Sequence, residues 1–501
     1  MRKILSLFVI ILILTSCGSV KKDREMRVSL ATNIKAKNYE AATLIVKDKD
    51  FYEDKNSELL RNLERGTVYY LKGEYYQALK SFENAKKISD DLYTISISKK
   101  TASVWDENMD NYYGEKYERS MIRFYLSLIN YNLYQQGFYE EYLDEKNLKV
   151  EKKILTDEEE NFHLNYARSS IIEWDSLLKS YQGETGGEPV YKNDMLAKVW
   201  GGFIHGQFNT VEDRQVALQL YKDGNDVLLK NYNMYSTFNN KAKEFDDDFK
   251  KLPNLSFQEL QKNYISETQY SKDLQEFLNR EIRNLNSSKK DNLVIMVKDN
   301  LVAPKTVKTI KIPIPIAAFG SVDSNFEAML RVAMLVEGGI PQAEIELPEI
   351  KITDDIKKYT AQIFDLNGNK VAETDLTMIE PMSDIAKKTL DDKLALIRTK
   401  IVARITTKYV AGAIAAYAVY RQGDWYQIMG LAMFAGSVKA ANESSRADTR
   451  YWTSLFSNIQ FGGAMLKQGK YKLVILSNDC NIYEKEIEIK KGQTTFIDLN
   501  Y

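Results

Sequence analysis

Cysteine and histidine are nearly absent from this chain, with two of each in 501 residues. Cys17 stands near the start and Cys480 near the end, so no internal disulfide framework stabilises the fold. The setting of Cys480, LVILSNDCNIYEKEIEI, is that of a strand or loop, where an inert, buried thiol is expected. His163 and His205 are far apart in helical stretches, and no HExxH or paired-cysteine spacing accompanies them, so no metal or other cofactor is expected. Also missing are a G-x-S-x-G elbow, a P-loop and a dinucleotide glycine pattern. Acidic runs such as TDEEENF and EFDDDFKKL read as helix starts and solvated faces, which gives no acid/base pair to build on. Charge is balanced, 69 basic against 70 acidic residues, where a general nucleic-acid binder would show a clustered basic excess. Only 8 prolines and 28% charged residues fit a folded, helix-rich chain and not a disordered stalk. At this length two or three domains are expected.

What is present begins at the N-terminus. Arg2 and Lys3 precede an apolar stretch from Ile4 to Leu14 that only Ser6 interrupts, the form of a secretory signal. It falls well short of the roughly 20 residues that a spanning helix needs. The residues Leu14-Thr15-Ser16-Cys17 resemble the lipobox of bacterial lipoproteins. That resemblance implies cleavage of residues 1–16, diacylglycerol on the Cys17 sulfur and a short tether at 17–22. Two or more acyl chains hold a protein stably on a bilayer where one does so marginally. Gly18 after the lipidated position agrees with transfer to the outer membrane, facing the periplasm.

From 23 to 285 the period is helical. LLRNLERGTVYYLKGEYYQALKSFENAKK, residues 59–87, carries Gly66, Tyr69, Gly73, Tyr75, Ala78, Phe82 and Ala85 at offsets that resemble the tetratricopeptide repeat. Tyr39, Ala42 and Val46 repeat the second-helix pattern upstream. Residues 121–143 read as a helix, a turn at Gly137 and a second helix. A further helix pair follows around Gly206, with Ala217, Tyr221 and Gly224. YQGETGGEPVY, 181–191, is the clearest internal break. Such arrays present a concave surface to partners, which makes Tyr69, Tyr75, Tyr76 and Phe82 the candidate binding residues. The competing reading is an array that only supports the other domain.

Near residue 290 the period becomes two. NLVIMVKDN and KTVKTIKIPIPI read as strands, Pro313 and Pro315 suiting an edge. Asn367-Gly368 joins two further strands as a hairpin, and residues 469–501 give three more. The expected β-rich domain, 290–501, is a small antiparallel β-sandwich, so the chain as a whole is α+β. Into it is inserted 383–447, whose Ala/Gly-rich part, 410–441, is broken at Arg421-Gln422-Gly423-Asp424 into two arms too short to span a bilayer. A helical hairpin buried through its small residues is one reading; a segment that dips into the membrane or offers an apolar patch is the other.

After the hairpin, Ala447, Asp448, Thr449, Arg450, Trp452, Leu455, Gly469 and Tyr471 resemble positions that recur in a family of poorly characterised bacterial lipoproteins with N-terminal tetratricopeptide-like repeats. Phe456 and Gln468 stand where that family tends to have proline. The family lends location and architecture, not an activity. Physically, Asp448 and Arg450 suit a charge pair that orders the helix exit, with the guanidinium stacked on Trp452. The expected function is that of a membrane-anchored cell-envelope scaffold, non-catalytic, holding an envelope protein through its repeats. The alternative is a cell-wall glycan- or peptidoglycan-active enzyme with an unrecognised acidic site.

Overall fold

The computed structural model describes residues 22–98, 111–143, 148–183, 191, 193–245, 256–313, 324, 327–328, 335–337, 340–423, 425–443 and 446–501. Cys17, the signal and most of the break at 181–191 lie outside them. Among the described residues helix accounts for 56% and strand for 21%, helices leading and sheets following, which makes the chain α+β.

Helix α1 covers 22–35. It is followed by α2 (Tyr39–Lys47), α3 (Glu58–Lys72), α4 (Tyr75–Ser98), α5 (Lys116–Gln136), α6 (Asp157–Gly183), α7 (Met195–His205), α8 (Val211–Lys230), α9 (Phe257–Tyr264) and α10 (Gln269–Asn286). From α2 to α8, each helix packs on the next. Local chemistry sets the boundaries: Gly73 at φ +86° ends α3, and the Asp194 and Thr210 side chains cap α7 and α8 by accepting the N–H of Ala197 and Asp213. Close approach needs the glycines. A Cβ on Gly66 would stand 2.8 Å from the Phe82 ring, and one on Gly202 2.7 Å from Tyr221. One expected helix is missing: after Gly137, in the left-handed region at φ +71°, the chain forms the short strands Phe138–Tyr139 and Tyr142–Leu143, paired with Lys153–Ile154 and Lys149–Val150. The ribbon packs on α4, Tyr139 stacking on Tyr76 at 4.1 Å, and a helix starts only at Asp157.

Strands β1 (Leu293–Leu301), β2 (Lys305–Pro313), β3 (Leu335–Glu337), β4 (Ile340–Ile350), β5 (Tyr359–Phe364), β6 (Lys370–Asp375), β7 (Thr377–Glu380), β8 (Phe456–Ala464), β9 (Gly469–Ser477), β10 (Cys480–Ile489) and β11 (Thr495–Asn500) form three sheets. Their orders are β7-β8-β1-β11, β6-β5-β9-β10 and β2-β4-β3. Pro313 ends the edge strand β2, as expected of a residue without an N–H. The first sheet departs from the expected antiparallel arrangement, because β11 runs parallel to β1.

Sheet β7-β8-β1-β11 is covered on both faces. Leu293, Ile295 and Val297 share a core with Ile363, Leu473, Ile475 and Ile487 of the second sheet. Val294 and Met296 join the helical core, where Phe496 meets Tyr131, Trp200 and Phe203 with ring centroids about 5.5 Å apart. Double-sided burial explains why β1 reads as an unbroken apolar run. The inserted hairpin, α11 (Met382–Tyr420) and α12 (Trp425–Glu443), packs on β4 through a separate core of Ile401, Ile405, Tyr409, Ala343 and Ile345.

Candidate functional site

The inner side of helices α3, α4 and α5 carries the residues expected to meet a partner. It is filled by the chain itself. Segment 446–455 has no regular secondary structure and is largely buried, so its backbone must find partners inside the protein. Two glutamates supply them. Glu64 of α3 accepts the N–H of Thr453 at 2.7 Å and of Ser454 at 2.9 Å, and Glu118 of α5 accepts the N–H of Trp452 at 2.9 Å. Arg27 of α1 donates to the Thr449 carbonyl at 2.5 Å. The Trp452 indole N–H donates to Thr67 Oγ1 at 3.0 Å, and its ring lies 5.4 Å from Tyr125 and 5.7 Å from Phe82.

Burial raises the Glu64 carboxyl from 4.5 to about 7, although the Ser454 and Thr453 donors pull the other way. Glu118 is also raised, by burial and by the neighbouring Glu115 charge. Nothing in the sequence reading singled out these two carboxylates. Their signal was a glutamate at core spacing, Glu64 between Leu60, Leu63 and Thr67, and Glu118 in a helix buried on all sides.

The expected binding residues are therefore divided. Phe82 is fully buried, stacked on Tyr125 at 4.7 Å, and Tyr69 is buried as well, so both belong to packing. Tyr75 and Tyr76 are half-buried, Tyr76 between Tyr139 and the Lys80 ammonium. Asp448 and Arg450 form the expected pair, with Arg450 Nη2 2.8 Å from Oδ2 and Nε 3.0 Å from Oδ1. Burial raises Asp448, but the Arg450 guanidinium, with Lys305 and the Arg450 backbone N–H, offsets this and holds the carboxyl below its usual range. The guanidinium lies over Tyr112 at 5.6 Å, not over Trp452, because the indole is turned into the helical groove. Cys480 is exposed at the start of β10, where inert burial was expected. Its strand follows a tight turn with Asn478 and Asp479 at positive φ, which carries the first residue outward.

Both histidines are absorbed by structure. His163 bridges Asn130 at 2.7 Å and Tyr139 at 2.8 Å, and burial lowers its pKa to about 4. His205 Nδ1 meets Asp213 at 2.7 Å. A buried carboxyl pair, Asp194 and Glu380, sits at the start of α7, where Tyr232 donates to Glu380 at 2.7 Å. Burial pushes both carboxyls up, Asp194 to about 6. Among the described residues, no group of three or more His, Cys, Asp or Glu side chains is placed to hold a metal ion.

The α11–α12 hairpin leaves a cluster of apolar side chains open. The two arms cross closely, a Cβ on Gly430 falling 2.7 Å from the Ala416 carbonyl. Tyr420 and Phe434 turn inward, while Trp425 is 69% exposed, and Tyr426, Ile428, Met429, Met433 and Ile414 are also exposed. Residues 393–439 contain seven basic side chains and one acidic, Asp424, a local charge of +6 in a chain of net −1. At its base Lys393 donates to Glu115 at 2.6 Å, which fixes α11 to the helical half. Among the described residues, no helix is long and apolar enough to cross a membrane. Comparison with protein families, with curated proteins and with solved structures found no match to this chain.

Proposed function

We propose that this protein is a lipid-anchored, non-catalytic scaffold of the bacterial cell envelope, tethered at Cys17 and seated on the bilayer surface by its α11–α12 hairpin. The helical half acts as support in this reading. Its groove holds residues 446–455, and a tetratricopeptide-like array is supported by the Gly66–Phe82 and Gly202–Tyr221 crossings. A β-sandwich is supported by the core that the two four-stranded sheets share. Such a platform holds an envelope protein partner through outer surfaces that the groove does not use.

The observation that carries the proposal is the exposed hairpin end, uncharged over most of its length above a strongly basic base. Exposed apolar clusters of this kind mark contact surfaces. Residues 409–420 extend about 18 Å, short of the roughly 30 Å hydrocarbon core, which favours insertion into one leaflet. Trp425 and Tyr426 at the turn add aromatic area to the apolar end, and the basic residues of the base complement anionic headgroups.

The test is sedimentation of residues 18–501, which contain every described residue and lack the acylated cysteine, with phosphatidylglycerol or phosphatidylcholine vesicles. Binding to the anionic vesicles, lost in the triple substitution Trp425→Ser, Met429→Ser, Met433→Ser, is expected. Recovery of the unaltered protein in the supernatant with both lipids would overturn the bilayer reading, and capture of a single envelope protein by the hairpin would replace it.

A further inference from the structure

A cavity of about 240 Å³ lies where the end of α1 meets α3 and the strands β1 and β11. Its wall is part apolar, from Ile34, Leu71, Leu301 and Phe456. It also holds four lysines, Lys35, Lys37, Lys298 and Lys357. Three of them have carboxylate partners. Lys298 is bound to Asp498, Lys357 stands 3.2 Å from Asp299, and Lys35 stands 4.0 Å from Asp354. Lys37 makes no ion pair with any described residue; its ammonium lies 4.1 Å from the centroid of the Tyr501 ring. Tyr39 and Asn500 also line the cavity, and their side chains make no hydrogen bond with any described residue. Lys37 stands exposed at the cavity rim, where partial burial and, after it, the Lys357 charge lower its pKa.

The backbone adds a second, independent sign. Lys37 closes α1 at φ +55°, with its own N–H donating to Ile34 and that of Asn38 to Asn33, a helix end at which glycine is the favoured residue. A lysine there is held at a conformational cost that glycine would not carry.

We propose that this cavity binds a small organic acid, a single carboxylate on a compact apolar body, with Lys37 meeting the charge and Tyr39 and Asn500 orienting it. One ammonium without a carboxylate partner among the described residues matches a single negative charge. A volume of about 240 Å³ admits a small molecule.

The test uses residues 18–501 and the probe 4-fluorobenzoate, followed by the ¹⁹F linewidth, with neutral 4-fluorobenzamide and inorganic phosphate as separate arms. Saturable broadening of the benzoate and none of the benzamide is expected, with phosphate competing weakly. Lys37→Gly should weaken benzoate binding about tenfold or more while the melting temperature stays level or rises, since glycine suits the left-handed position. Lys37→Arg should retain binding. Equal broadening by wild type and Lys37→Gly, or broadening by the benzamide, would overturn the proposal. Stronger competition by phosphate than by unlabelled benzoate would overturn the carboxylate assignment.

Discussion

Glu64 accepts the backbone N–H of Thr453 at 2.7 Å across 389 positions of sequence, and with that bond the β-rich half closes the groove of the helical half. A carboxylate serves here as the acceptor for a buried loop, at a cost in desolvation that its raised pKa records.

That pKa makes the junction pH-dependent. A carboxyl held at about 7 when folded and 4.5 when unfolded contributes stability that is fully present below 4.5 and lost as the pH rises through 7. Glu281, also at about 7, and Asp194, at about 6, act in the same sense. His163, held at about 4, acts oppositely: its contribution is present above 6.5 and lost as the pH falls toward 4. Urea unfolding should therefore show greater stability near pH 6 than near pH 8.5, by roughly 1–3 kcal/mol. Glu64→Gln should flatten that difference; an unchanged slope in the variant would remove Glu64 from the account.

Gly66→Ala places a methyl 2.8 Å from the Phe82 ring. Overpacking of this kind costs about 1–3 kcal/mol, offset by up to about 1 kcal/mol of helix propensity. A net loss of stability is expected, relieved when Phe82→Leu is added. A double-mutant cycle with zero coupling between the two positions would show that the crossing is loose.

Trp452 is fully buried and joins three helices. Its truncation to alanine should cost about 3–5 kcal/mol, whereas Trp452→Phe, which keeps most of the ring and leaves Thr67 Oγ1 without the indole donor, should cost about half as much. Chemical denaturation of both variants measures the difference. Equal costs would assign the indole hydrogen bond more weight than the packing.

Exposed Cys480 should react with a thiol reagent in the native protein at the rate of an unhindered cysteine, without unfolding. Cys480→Ser should change stability by no more than about 0.5 kcal/mol. Reaction only after addition of urea would contradict the exposed position.

Much of the fold was legible because it is local. The 3.6 period gave α3, α4, α7 and α8, and the change to a period of two marked where the sheets begin. Asn367-Gly368 turns with Gly368 at φ +86°, and the break at 421–424 separates α11 from α12. Where the reading failed, a longer-range interaction had decided. Tyr139 stacks on Tyr76 of α4, and a ribbon forms where a helix was expected.

The sequence by itself determined most of the order of helices and strands and the hairpin insertion, since each depends on residues within a few turns of one another. Only the tertiary structure decided what fills the groove, that β11 joins β1 in parallel, and that Lys37 has no carboxylate partner among the described residues. Those outcomes depend on pairs such as Glu64 with Thr453 and Tyr70 with Asp498, which lie hundreds of residues apart and meet only once both halves are packed. No periodicity within either half carries that information.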